Sequence, residues 1–93
     1  MTKDEHVKKK IRPSRFQIIA ARDLLNRMTQ ADLAKAAGVN EITLSLFESG
    51  HTKPHDSTIA KLQRALEDRG IEFTNGDNPG VQLMRDKAII PIA

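Results

Sequence analysis

The residues with the clearest chemical potential are the cations near the start of the chain. Lys8, Lys9, Lys10, Arg12 and Arg15 place five positive charges within eight residues. A run of lysine and arginine of this kind tracks phosphate groups or reaches into a DNA minor groove, and its binding weakens steeply with salt. The same composition is also typical of a solvated tail that only improves solubility. Both interpretations stay open on the residues alone.

The uneven distribution of charge separates this arm from the rest of the chain. The net charge is +3 over 93 residues. Residues 1–15 hold six basic residues against two acidic ones, whereas the remaining residues hold nine basic and ten acidic ones. The globular part is therefore not basic, and an affinity for polyanions would come from the arm and from particular surface residues.

Catalysis, metal binding and membrane insertion find little support in the sequence. The chain has no cysteine, which excludes disulfides, thiolate zinc sites and a cysteine nucleophile. His51, His55 and Asp56 are close in sequence, but Pro54 prevents the two histidines from sharing a regular helix, so we expect no metal site. Nothing in the spacing of serine and histidine indicates a nucleophile with its base. Since no long apolar run or signal-peptide core is present, we expect a cytoplasmic protein without membrane contact. We also expect no enzymatic activity and no cofactor.

The stretch 29–50 predicts two short helices, 30–37 and 41–49, joined by a tight turn. Thr29 with Asp32 is a candidate capping box for the first helix, Asn40 is a good N-cap for the second, and Gly38 suits a left-handed end to the first. Each helix has one apolar face, formed by Leu33, Ala34 and Ala37 in the first and by Leu44 and Phe47 in the second. Two helices held at a steep angle by a short turn form a helix-turn-helix, whose second helix can enter a DNA major groove.

Two further helices flank this motif. One is predicted from a Ser14 cap to about Asn26, and the other covers 58–69 with Asp56 or Ser57 as its cap. Their predicted buried stripes are Phe16, Ile19, Ala20 and Leu24 in the first helix, and Ile59, Leu62, Ala65 and Leu66 in the last.

The C-terminal part changes period. Residues 71–74 alternate like a strand, 75–80 are rich in turn residues, and 81–84 are typical of a returning strand. A short β-hairpin is therefore predicted. Because Phe16, Phe47 and Phe73 are all expected in the core, the hairpin should pack on the helices. The apolar tail 88–93 is a frayed end, a third strand or a contact with a second subunit.

The helix-turn-helix stretch resembles the phage repressor and Cro family of the xenobiotic-response-element (XRE) type. The resemblance covers roughly residues 15–74, and Arg22 is similar to a first-helix arginine that pairs with the glutamate found here as Glu48. The matching motif residues are Gln30, Leu33, Ala34, Gly38, Val39, Leu44, Ser45, Glu48 and Gly50. The resemblance implies a mainly α, four- to five-helix Cro/repressor-like domain with a C-terminal hairpin.

The residue patterns and the resemblance together predict an organisation and a function. Residues 1–13 would form a flexible basic arm, 14–70 the DNA-binding domain, and 71–93 a hairpin and apolar tail that are the candidates for a dimer contact. The protein would be a repressor-like regulator that binds double-stranded operator DNA as a homodimer. The residues expected to contact bases are Glu41, Ile42, Thr43, Ser45 and Leu46, next to the cap Asn40. The residues expected to contact phosphates are Gln30, Lys53, Lys8, Lys9, Lys10 and Arg12.

An alternative function follows from the same helix. It contains no Arg, Lys, Asn or Gln between Glu41 and Ser49, although these residue types make the commonest specific base contacts. Ile42 and Leu46 are separated by one turn, which is the spacing of a helix that docks into a protein groove. The chain could thus be a protein-binding module, either an antiactivator that captures a transcription factor or, by analogy alone, an antitoxin.

Overall fold

The computed structural model describes residues 12–84 and Asp86. Four helices are followed by a two-stranded hairpin, which confirms the mainly α fold with a C-terminal β-hairpin. The predicted cations Lys8, Lys9 and Lys10 and the tail 88–93 lie outside the described residues. The elements are α1 (Arg15–Leu24), α2 (Gln30–Ala37), α3 (Glu41–Glu48), α4 (Asp56–Glu67), β1 (Ile71–Thr74) and β2 (Gly80–Leu83).

The helix-turn-helix is built by local capping as the sequence predicts. The Thr29 hydroxyl accepts a hydrogen bond from the Asp32 N–H at 3.0 Å and starts α2. The chain leaves α2 through Gly38, whose φ of 73° lies in the left-handed region that glycine adopts without strain. The Asn40 side-chain oxygen then accepts from the first N–H groups of α3. The turn between the helices is thus defined by their own end groups.

One apolar core joins all four helices and the hairpin. This core brings each helix of the motif into contact with α1 or α4. Burial of each of its leucine, isoleucine and phenylalanine side chains contributes about 1.5–3 kcal/mol. Its buried members are Ile18, Ala21, Leu25, Leu33, Ala34, Leu44, Phe47, Ile59, Leu62, Ala65, Leu66 and Ile71. Leu44 and Phe47 are therefore core residues, as predicted, and the exposed face of α3 is the one opposite to them.

The buried face of α1 differs from the prediction by one residue. Its inward side carries Gln17, Ile18 and Ala21, while Phe16 is 64% exposed and Leu24 is 41% exposed. The predicted stripe, which also included Ile19 and Ala20, was wrong as the buried face, and so was the assignment of Phe16 to the core. Apolar residues occur on both sides of this helix. The side that faces the hairpin is the one that carries a buried polar residue.

That polar residue is Gln17, which ties α1 to the hairpin. Its side-chain N–H groups donate to the backbone carbonyls of Thr74, at 2.9 Å, and Gly80, at 3.0 Å. β1 and β2 pair antiparallel, and the partly buried Phe73 and Val81 lie opposite each other against the core. The predicted packing of the hairpin on the helices is confirmed, although β2 starts one residue earlier than expected.

The ends of α1 and α4 also depart from the prediction. α1 ends at Leu24, and the chain then turns through Asn26 and Arg27, which both have a φ of 60°. α4 begins at Asp56 after an extended His55 that makes no side-chain capping bond, so the predicted cap at 56 or 57 was wrong. An aspartate inside the first turn is favourable because its charge faces the positive end of the helix dipole.

Candidate nucleic-acid interface

An ion pair between α1 and α3 holds the candidate interface in place. Arg22 donates to Glu48 through Nε, at 2.8 Å to Oε2, and through Nη2, at 2.6 Å to Oε1. Arg22 Nη1 also donates to the carbonyl of Met28 at 2.7 Å, just before α2. The Glu48 side chain is 4% exposed and that of Arg22 is 18% exposed. A bidentate, largely buried pair of this kind fixes both the distance and the orientation of the two helices.

The amide of Gln30 completes this network. Its Nε2 donates to Glu48 Oε1 at 2.8 Å, so the glutamate accepts three hydrogen bonds from two helices. Gln30 is half-buried, and its side chain is engaged inside the protein at the point where a phosphate contact is predicted. A phosphate at this position would therefore meet the start of α2 and only part of the Gln30 side chain.

The outward face of α3 lies opposite the residues that hold this helix against the rest of the protein. Ile42 is 68% exposed and Leu46 is 39% exposed, one turn apart. Glu41 is exposed beside them, and Thr43 and Ser45 are half-buried at the edges of the face. These five residues are the predicted base-contacting set, and their shared surface is mainly apolar with one carboxylate.

The other predicted contact residues have different surroundings. Asn40 is exposed, but its side-chain oxygen is occupied by the N–H groups of Ile42, at 2.8 Å, and Thr43, at 3.3 Å. Lys53 is exposed in the loop after α3, and Arg12 is half-buried where the described chain begins. The α3 surface therefore has cations beside it and none on it.

Two polar residues of structural importance were not predicted from the sequence. Gln17 forms a reciprocal capping box with Ser14, in addition to its bonds to the hairpin. The spacing Ser-x-x-Gln is a recognisable signal for that box, whereas the hairpin bonds join residues that are distant in sequence. Arg15 donates from Nη1 to the carbonyl of Glu48 at 3.0 Å, and so caps the C-terminal end of α3.

The described part of the chain adds two negative observations. Within residues 12–84 and Asp86, no three His, Asp or Glu side chains lie close enough together to ligate one metal ion. None of the helices described there has both the length and the apolar character needed to cross a bilayer.

A capped helix that follows another helix through a tight turn, and exposes one face, defines the helix-turn-helix class of DNA-binding regulators. A family model described as helix-turn-helix matches residues 18–71, which is more than half of the chain. The chain belongs to this family, in its XRE (Cro/repressor) type. The family is one of DNA-binding regulators and not of enzymes. A search of curated proteins found no match to the chain.

Proposed function

We propose that this protein is a sequence-specific, repressor-like transcriptional regulator that places α3 in the DNA major groove. The observation that carries the proposal is the position of α3 within the helix-turn-helix. Its inner residues Leu44 and Phe47 are buried, its end is held by Glu48, and its outer face is open. A rigid helix with a free outer face fits a major groove about 12 Å wide.

The side chains on that face indicate the base edges that they would contact. Ile42 and Leu46 suit the methyl groups of thymine, and the Glu41 carboxylate can accept a hydrogen bond from cytosine N4. Thr43 and Ser45 have hydroxyls that can bond to a base or a phosphate. We therefore propose an operator half-site in which thymine methyls contribute more to specificity than guanine does.

A single helix of this length covers few base pairs, so we further propose that the protein binds as a homodimer in the cytoplasm. Two α3 helices would then enter successive major grooves about 34–36 Å apart. The hairpin and the tail 88–93 are the proposed dimer contact, because β2 has only β1 as a partner strand among the described residues. An open strand edge is suited to pairing with a second copy.

A second function is favoured by the exposed apolar side chains of α3. Ile42 and Leu46 form an i, i+4 pair with no cation on the same helix, a pattern typical of a helix that docks into a groove of another protein. In this alternative the protein captures a transcription factor as an antiactivator, or neutralises a toxin, without reading DNA.

The double variant Ile42→Ala, Leu46→Ala distinguishes the two functions. If α3 reads DNA, the variant loses at least about thirtyfold in operator affinity, because it removes two base contacts that contribute about 1–3 kcal/mol each. Its non-specific, salt-sensitive binding remains. Leu24→Ala is a matched control, since Leu24 is 41% exposed on α1 and Leu46 is 39% exposed on α3.

The protein-binding function gives the opposite pattern. The parent then shows no discrimination between DNA sequences, and the double variant releases a bound protein that the Leu24→Ala variant retains. Equal operator affinity of the parent and the double variant would contradict the proposal that α3 reads the bases.

A further inference from the structure

The loop at the tip of the hairpin contains a chemically reactive pair of residues, Asn75 and Gly76. This loop covers residues 75–79, joins β1 to β2, and is exposed along its whole length. The pair is the only asparagine–glycine step in the chain. Asparagine is among the chemically labile residues of proteins, because its side-chain amide can react with a neighbouring backbone nitrogen.

The residue that follows each of the four asparagines decides whether this reaction is open to it. The attacking nitrogen must carry a hydrogen and must approach the side-chain carbon Cγ. Asn78 precedes Pro79, whose nitrogen carries no hydrogen. The Asn40 oxygen is held at 2.8 Å by the N–H of Ile42 at the start of α3, which fixes its side chain in the capping orientation.

Asn26 is disfavoured by the hydrogen bonding of its own turn. It precedes Arg27, whose N–H donates to the carbonyl of Asp23 at 3.1 Å. This nitrogen is therefore directed away from the Asn26 amide, and the arginine Cβ obstructs the approach further. Three of the four asparagines are thus protected, each for a different reason.

Gly76 presents none of these obstacles to Asn75. Its φ is 91°, and a Cβ at this position would meet no atom within 4 Å. Among residues 12–84 and Asp86, no backbone carbonyl accepts a hydrogen bond from its N–H. The Asn75 amide therefore has beside it a backbone nitrogen that is accessible, unhindered and not engaged elsewhere.

We propose that Asn75 is a site of spontaneous modification, at which the side-chain amide is converted into a carboxylate. The Gly76 nitrogen loses its proton and bonds to the Asn75 Cγ. The bond between Cγ and Nδ2 then breaks, and the departing amide nitrogen takes up the proton and leaves as ammonia. Water reopens the resulting cyclic imide. Attack at Cγ gives aspartate, and attack at the main-chain carbonyl gives isoaspartate, in which the chain continues through the side chain.

The base of the loop confines this change to the hairpin tip. Thr74 pairs with Gly80, and both carbonyls accept from the Gln17 side chain, at 2.9 and 3.0 Å. Either product places a second negative charge close to the exposed Asp77. A folded protein with a formal net charge one unit below the original +3 therefore accumulates with age, independently of DNA binding.

Peptide mapping of the full chain, after incubation at neutral and at mildly alkaline pH, tests this site. Trypsin releases the segment 70–85, which contains both Asn75 and Asn78, and fragmentation in the mass spectrometer assigns a change to one of them. We expect Asn75 to convert before the other three asparagines, and faster at the higher pH because the attacking nitrogen must lose its proton. The same peptide from an Asn75→Asp variant identifies the aspartate product by its retention time.

Two conservative variants in the same exposed loop are matched controls. Asn75→Gln lengthens the side chain by one methylene, which disfavours ring closure, so conversion should be lost over the period in which the parent reacts. Asn78→Gln should leave the conversion of Asn75 unchanged. An unchanged circular dichroism spectrum shows that each variant is folded, and a parallel incubation in concentrated urea gives the reactivity of the unfolded chain.

Each outcome decides for or against the site. Conversion of Asn75 ahead of the other asparagines in native buffer supports it, whatever the rate in urea. Conversion in urea but none in native buffer would overturn it, because the folded loop would then prevent the attack. Conversion of Asn78 as fast as that of Asn75, or an equal mass change in Asn75→Gln, would also overturn it, since neither is explained by a cyclic imide at Gly76.

Discussion

Replacing Glu48 by alanine removes the acceptor of three hydrogen bonds and leaves Arg22 without its anionic partner. The lost bonds measure 2.6–2.8 Å, and the glutamate side chain is only 4% exposed. Loss of one partner from a buried ion pair costs about 3–5 kcal/mol. Since a domain of this size is stable by only about 5–10 kcal/mol, the variant should be strongly destabilised or largely unfolded.

Urea denaturation followed by circular dichroism measures this loss. With a slope of about 1 kcal/mol per M, the midpoint should fall by about 3 M or disappear. The control is Asp23→Ala, because the Asp23 and Arg27 side chains are 74% and 90% exposed and their closest atoms are 3.9 Å apart. An exposed pair of this kind contributes less than about 1 kcal/mol, so the control should unfold close to the parent.

A double variant tests the stated cause of the effect. Arg22→Met combined with Glu48→Leu leaves no uncompensated charge, and buried pairs replaced by apolar residues are often neutral in stability. We therefore expect the double variant to be more stable than Glu48→Ala. A Glu48→Ala protein within 1 kcal/mol of the parent would refute the argument that this ion pair fixes α1 against α3.

The remaining predictions concern the backbone, the cap and the hairpin, and all are measured by thermal or urea unfolding. Arg27→Gly should leave stability unchanged or raise it, because a φ of 60° is strained for arginine and unstrained for glycine. The control Ala36→Gly, at an exposed position of α2, should cost about 1 kcal/mol. A loss from Arg27→Gly as large as that from Ala36→Gly would count against strain in this turn. Asn40→Ala should cost about 1 kcal/mol through the lost cap of α3, and a neutral effect would contradict a stabilising role of this cap. Truncation after Gly70 should lower the melting temperature sharply by exposing core that the hairpin covers, and an unchanged melting temperature would contradict the observed packing.

The helix-turn-helix was predictable because its determinants are local. A threonine or asparagine cap, a glycine at the left-handed turn and one apolar face per helix are each read within a few residues. Thr29, Gly38 and Asn40 perform these tasks in the structure as expected. The Arg22–Glu48 pair was predicted in a different way, from resemblance to the family, because 26 residues separate the partners.

The inner face of α1 was not predictable from periodicity alone. Apolar residues occur on both sides of this helix, so the stripe through Phe16 and the stripe through Ile18 fit the helical repeat equally well. The choice depends on Gln17, which bonds to carbonyls 57 and 63 residues further along the chain. The same limit applies to the groove that both Arg12 and Lys53 line, since these residues are 41 positions apart in sequence.

The most direct test of base reading by α3 is the fluorescence anisotropy of a labelled duplex from the region upstream of the protein's own coding sequence. An unrelated duplex of equal length serves as the control, and both are titrated at a low and a high salt concentration. If α3 reads bases, the upstream duplex is bound more tightly than the control, and this preference persists at high salt. Equal binding that vanishes as salt rises would contradict base reading and indicate that only the basic arm contacts DNA. No binding at either concentration would also contradict it, and Ile42 and Leu46 would then be tested as a protein-docking surface by a search for a captured transcription factor.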